Sequence, residues 1–296
     1  MVQNLYYRHS GQFALGRVIL GTIAAAATGS LLAVAYAASV LYIPFAGVVS
    51  FILSIGFGVL LGLTTTAALR WAKVRHEGIA FLSSATAASS AFYVSWAVWT
   101  WLLLRQADVE SHLSALVQEP GVVWGLLGEV NAVGAWSMGG FTPTGAVLWV
   151  LWGFEALLIL VPAVLLPLGV LAVPFCERCN LWCEPTEDVA RLAACEPSQL
   201  KSHMDAEELN VLAVLFELGT SAEDDDTWIR VDLHDCPSCG NLHTMTLKSI
   251  SVPEAAAGEH HQTELEVANH LLLSTEQAQR IRVLARTFQP EPVEAA

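Results

Sequence analysis

Four of the six cysteines in this 296-residue chain fall in two Cys-x-x-Cys pairs, Cys176 with Cys179 in "FCERCNLW" and Cys236 with Cys239 in "HDCPSCGN". Such pairs serve three chemistries: a disulfide, a reactive redox dithiol, or half of a metal site. A redox dithiol usually begins a helix, where the dipole lowers its pKa. Cys176 and Cys179 instead follow the end of a long apolar run. Four thiolates offered as two pairs suit a tetrahedral zinc ion, with bonds to sulfur of about 2.3 Å. A closed four-sulfur site leaves no open position for substrate, so such a zinc is structural. Cys183 and Cys195 lie outside the pairs, and His234 and His243 flank the second one.

The "CPSCG" segment resembles a zinc-ribbon knuckle, in which a turn aims both sulfurs at one point and Gly240 permits the backbone that follows. The resemblance covers the two cysteine pairs and the hairpin around the second, and it implies a structural Zn cofactor held by Cys176, Cys179, Cys236 and Cys239. The chain departs from the simple pattern in spacing. Fifty-six residues, 180–235, separate the pairs, against about 15 to 20 in a simple ribbon. Loop closure cost rises only logarithmically with length, so a split ribbon is compatible with this insertion.

The other residue that invites chemistry is Glu155, the single charge between Gly145 and Phe175. An intramembrane carboxylate is by default a candidate proton or cation site. The structural alternative, an ion pair with Arg105 at the end of the preceding apolar segment, is the favoured reading, because no second acid or histidine accompanies Glu155 to form a relay.

The elements that carry these residues follow from charge and hydropathy. No Asp, Glu, Lys or Arg occurs from Val18 to Leu69, a run broken by "YIPFAG", and further uncharged stretches cover 79–104 and, Glu155 apart, 145–175. A bilayer core takes about 20 apolar residues per helix, so four transmembrane helices are expected in residues 1–175. The first is read as an uncleaved span and not a signal peptide, because a second membrane-length segment follows it. Small residues recur every four positions at Gly21, Ala25, Gly29, Ala33 and Ala37, and again at Ser50, Ser54, Gly58, Gly62 and Thr66. Such ladders let helix backbones approach closely, and spans one and two are expected to pack face to face. The connecting loop 105–144 contains a short amphipathic helix with Val123, Leu126, Leu127 and Val130 on one side.

Arg8, Arg17, Arg70, Lys73 and Arg75 lie at one end of these spans, which by the positive-inside rule puts both termini in the cytoplasm. The bacterial inner membrane is the expected location. In that compartment thiols stay reduced, which disfavours disulfides. Residues 176–296 hold 22 acidic and 8 basic side chains and carry the whole formal charge of −14. Such a surface repels nucleic acid, and the expected partners are the lipid bilayer and another protein.

Within 176–296, Thr186 is positioned to cap a short helix over "EDVARLAAC", and Asp205 with Glu208 opens a second helix ending near Gly219. "EDDD" at 223–226 reads as a solvated loop. Strands are expected around Ile229–Leu233, from Leu242 to about Ile250, and over "TELEVANHLLL", followed by a helix capped by Ser274 with Gln277. The fold class is therefore a four-span helical membrane domain plus a small α+β cytosolic domain of split zinc-ribbon type. No catalytic triad order, phosphate-binding glycine loop or metalloprotease motif is present, which argues against an enzyme. The function expected is a membrane protein with a zinc-held interaction or regulatory module, the alternative being a small-solute or ion transporter that uses Glu155.

Overall fold

The computed structural model describes residues 5–43, 48–137, 140–198, 200–201, 226–252 and 263–288, and these form two compact units, 1–9 with 173–296 and 10–172. The helix expected from Asp205, most of the acidic loop and the linker at 254–262 lie outside the described residues.

The helical unit contains α1 (Leu15–Tyr42), α2 (Val48–Ala72), α3 (Glu77–Gln106), the short α4 (Leu113–Gln118) and α5 (Pro120–Val133), and α6 (Gly145–Leu165) continued by a 3-10 turn, Leu166–Ala172. Four of these helices are long and apolar enough to cross a membrane. Large apolar side chains cover their outward faces; Leu31 is 74% and Val150 71% exposed. In water such surface would be costly, and in lipid it is at no disadvantage.

The α1 ladder packs on α2 as expected, and on α3 as well, whereas the α2 ladder does not face it. Gly21, Ala25, Gly29, Ala33 and Ala37 form the buried face of α1. A Cβ on Gly21 would meet the Ala68 carbonyl at 3.2 Å, and one on Gly29 would lie 2.8 Å from Leu61 and 2.9 Å from Ala91. This stripe therefore sits over the groove between α2 and α3. The α2 ladder turns to α6: a Cβ on Gly58 would fall 2.4 Å from the Ile159 carbonyl oxygen, and one on Gly62 2.8 Å from that of Pro162. Pro162 frees a carbonyl on α6 by lacking an N–H, and the bare α2 backbone packs against that stretch.

At the opposite end of α3 from its N-terminus, α4 and α5 dock onto the bundle. The Tyr93 hydroxyl donates to the Leu116 carbonyl at 2.9 Å, and Trp101 Nε1 donates to Ser111 at 3.1 Å. α5 buries Val123 and Leu127 as its periodicity requires. At the basic end, Arg75 donates through its backbone N and its Nε to the Gln12 carbonyl, each at 3.2 Å.

The other unit is built on an antiparallel sheet in the order β3 (Glu184–Ala193), β4 (Thr227–Asp235), β5 (His243–Ser251), β6 (Thr263–Leu273), with α7 (Thr275–Phe288) after it and a two-stranded ribbon, β1 (Phe175–Cys176) and β2 (Leu181–Trp182), before it. Alternation in β4 puts Ile229, Val231 and Leu233 into the core, each at most 1% exposed, against Met245, Leu247 and Leu271. Ser274 and Gln277 cap α7 reciprocally: Gln277 N donates to Ser274 Oγ at 3.2 Å and Ser274 N to Gln277 Oε1 at 2.8 Å.

Residues 184–193 correct the sequence reading, for they form an edge strand and not a helix. The register with β4 slips between Thr186 and Ala190, where Asp188 takes a positive φ of 53°. The Asp188 N–H donates to Asp232 Oδ1 at 2.9 Å, which satisfies the donor the bulge leaves unpaired. Leu192 is buried in the core. The sheet edge offers this segment a ladder of backbone partners that a surface helix would forgo.

Candidate metal centre

Two similar turns carry the cysteine pairs. In the first, Phe175 pairs with Trp182 and Cys176 with Leu181, so the chain reverses through 177–180. In the second, β4 and β5 pair from Thr227–Ser251 to Asp235–His243, and the Cys236 N–H donates to the Leu242 carbonyl at 3.0 Å across the turn. The residue after the second cysteine is left-handed in both, Asn180 at φ 55° and Gly240 at φ 56°. Asn and Gly are the residues that adopt this conformation most readily.

The turns bring all four sulfurs together. The Sγ atoms of Cys176, Cys179, Cys236 and Cys239 lie within 4.8 Å of one another, and Cys176 Sγ is 3.7 Å from Cys239 Sγ. A disulfide requires about 2.05 Å, and every described cysteine is a free thiol. A tetrahedron with metal–sulfur bonds of about 2.3 Å has edges of about 3.8 Å. The spacing is therefore that of four ligands around one ion, and the cluster can hold a metal.

Electrostatics points the same way. Burial pushes the Cys176 thiol up to about 12. Cys179 is raised chiefly by its hydrogen bond with Cys239, whereas Cys239 is lowered to about 6 by the donated Asn241 backbone N–H and by the Cys179 thiol. Without a cation Cys176 and Cys179 are held as thiols, and Cys239 ionises more readily than either. A bound divalent ion would pay for ionising the rest.

Neighbouring groups hold the turns in place. His243 is 3% exposed, and both its ring nitrogens face oxygen: Nδ1 lies 2.5 Å from Asp235 Oδ1 and Nε2 2.6 Å from the Gly240 carbonyl. The ring thus braces the second turn across its base and is not a fifth ligand. Arg282 of α7 donates to the other Asp235 oxygen. The first turn is held by a residue far away in sequence. The Tyr7 hydroxyl donates to the Phe175 carbonyl at 3.1 Å and accepts from the Phe175 N–H at 3.0 Å. Tyr6 bridges to Leu271, and Tyr7 N donates to the His270 carbonyl at 2.8 Å, so this N-terminal stretch extends the sheet beyond β6.

The remaining cysteines and His234 are outside the cluster. Cys183 is 1% exposed and packs against Cys176 and Cys236; burial, reinforced by those neighbours, pushes its thiol up to about 12. Its N–H donates to the Pro174 carbonyl at 2.9 Å, closing the first turn. Cys195 packs partly against the sheet core. The His234 ring meets that of His270 edge-on at 4.9 Å, and burial lowers its pKa.

In the helical unit, Glu155 and Arg105 do not pair. The Tyr36 hydroxyl donates to Glu155 Oε1 and lies 3.0 Å from Ser54 Oγ, whereas the Arg105 guanidinium sits 4.9 Å over the Trp101 ring. A cation–π contact suits an exposed arginine at the end of a helix. Glu155 also lines a cavity of about 280 Å³.

No known family model, curated protein or solved structure matches the chain.

Proposed function

We propose that the chain is a multi-pass membrane protein, with both termini in the cytoplasm, whose acidic sheet unit is held together by one structural zinc ion and serves as an interaction or regulatory module. The observation that carries this reading is the convergence of four thiols from two matching turns at the spacing of a tetrahedral metal site. Zinc fits the donor set best, because an all-thiolate tetrahedron suits a borderline-soft ion with no geometric demand of its own. The apolar outward faces of α1, α2, α3 and α6 support the membrane placement, and the basic residues at 8, 17, 70, 73 and 75 support the orientation.

Two experiments test it. Metal analysis of the full-length protein purified in an uncharged detergent is expected to find one zinc per chain. Reporter fusions after Gly78 and at the C-terminus are expected to behave as cytosolic and one after Glu119 as external; the reverse pattern would overturn the orientation.

A second reading, transport of a small solute or ion by way of Glu155, draws support from the cavity that reaches this residue. Against it, Ala33, Phe57, Leu61, Ala88, Ala91 and Ile159 form a tightly buried apolar cluster in the same bundle. A binding site agrees with both features; an open conduit agrees only with the first.

A further inference from the structure

The cavity in the helical unit combines one acidic pole with aromatic walls. Its lining comes from α1, α2, α3, α6 and the segment after α5, and includes Tyr36, Trp96, Trp99, Trp136, Trp152 and Glu155. Trp152 stands edge-on to Trp96 at 5.1 Å and to Trp99 at 6.3 Å, and Trp96 and Trp99 meet at 5.6 Å. Edge-to-face packing of three indoles holds their orientations rigidly. At about 280 Å³ the space is close to the lower size of small-molecule pockets, about 300 Å³.

Charge is the unbalanced part. Among the described residues, Glu155 is the one charged side chain lining the cavity, and Tyr36 the one other titratable group there. No Lys, Arg or His among the described residues forms a salt bridge with Glu155, and the expected partner Arg105 is engaged with Trp101. The Tyr36 hydroxyl donates to Glu155, and Ser54 Oγ, 3.0 Å from that hydroxyl, donates to the Ser50 carbonyl at 2.8 Å, so the carboxyl's recorded partners are neutral hydroxyls. A buried carboxylate without a cation is costly, and a cation supplied from outside the chain would relieve it.

The wall chemistry selects among cations. A metal ion of the sodium or magnesium type needs about six oxygen ligands, whereas the hydroxyls of Tyr36, Ser50, Ser95 and Ser137 share this lining with a larger aromatic surface of Phe51, Phe92 and four tryptophans. Tryptophan faces attract weakly hydrated organic cations, most of all quaternary ammonium groups. We propose that the cavity around Glu155 is a binding site for a small organic ammonium cation, which Glu155 neutralises and the indoles of Trp96, Trp99 and Trp152 enclose. This deepens the second functional reading but needs only binding, not transport, and it does not depend on the orientation of the helices.

The test uses the full-length protein in dodecyl maltoside, free of choline lipids, titrated with tetramethylammonium and choline while tryptophan fluorescence and binding heat are followed. Saturable binding of one cation per chain is expected, with 3,3-dimethylbutan-1-ol, the uncharged counterpart of choline, at least about tenfold weaker. Glu155→Gln is expected to weaken the cation by at least about tenfold and leave the alcohol unchanged, and Trp99→Leu to weaken both. The wild-type comparison of cation with alcohol stands even if a variant fails to fold. Equal affinity for the two, no saturable binding, or a fluorescence response to sodium as strong as that to choline would overturn the proposal. Because binding is read in detergent, its failure leaves the topology fusions to decide the membrane placement separately.

Discussion

The cysteine centre and the cavity around Glu155 both hold ionisable groups away from water, but with different neighbours. At the turns, four thiols converge within 4.8 Å, and Asp235, His243, Gly240 and Tyr7 brace them from both sides. In the bundle, one carboxyl accepts from a tyrosine and lines a cavity whose walls are largely aromatic and aliphatic, with a few serines. The first arrangement offers four ligands at the spacing of one ion; the second has a carboxyl and walls but, among the described residues, no counter-charge. A set of ligands that saturates its ion builds structure, whereas a set that leaves most of the coordination to the guest favours exchange.

The largest expected effect breaks the first half of that comparison. Removing the metal with a chelator is expected to unfold the sheet unit, since the binding free energy of a structural zinc is folding free energy, about 10 kcal/mol or more at neutral pH. Limited proteolysis of the full-length protein should then cut within residues 176–288 and leave the helical unit intact. Equal protease resistance with and without metal would mean that the sheet core stands without it.

A smaller loss is expected in the bundle. Gly58→Ala places a methyl group 2.4 Å from the Ile159 carbonyl oxygen, which α6 can accommodate only by moving its backbone. Thermal unfolding in detergent should report a loss of about 1–3 kcal/mol. Gly56→Ala, where the added carbon meets nothing within 4 Å, serves as the control and should lose nothing. Tyr7→Phe removes a hydroxyl that both donates to and accepts from Phe175, and should cost the sheet unit about 1–2 kcal/mol in chemical denaturation.

The smallest effect sharpens the electrostatic contrast within the cluster. In protein alkylated immediately on metal removal, before the sheet unit unfolds, Cys239, lowered to about 6, is ionised above that pH, and at pH 7 it should react with iodoacetamide first; as pH falls through about 6 its advantage disappears. Cys183, raised to about 12 by burial and its neighbours, should react last. Peptide mapping after brief alkylation checks the order.

Local pattern made much of this legible. Alternation located β4, β5 and β6, charge-free length located the four long helices, and the capping residues located the start of α7. The two Cys-x-x-Cys pairs announced the cluster because each turn is a local structure. What stayed hidden depends on partners distant in sequence. Residues 184–193 carry a helix-like cap and alanines, yet the exposed edge of β4 claims them as a strand. A ladder of small residues announces a close approach without naming the helix that approaches, so the α2–α6 contact at Gly58 and Gly62 was not readable. Tyr7 lies 168 residues from Phe175, and no spacing rule connects them. The Arg105–Glu155 pair failed for the same reason, since Tyr36 reaches the carboxyl from a helix whose neighbours the sequence did not disclose.

The central claim, one zinc held by two matching turns, is tested most directly by metal stoichiometry in the full-length protein and its cysteine variants. One zinc per chain is expected in the wild type and in Cys183→Ala and Cys195→Ala, and none in Cys176→Ser, Cys179→Ser, Cys236→Ser or Cys239→Ser. A metal-free wild type, or loss of the ion on substituting Cys183 alone, would contradict the account.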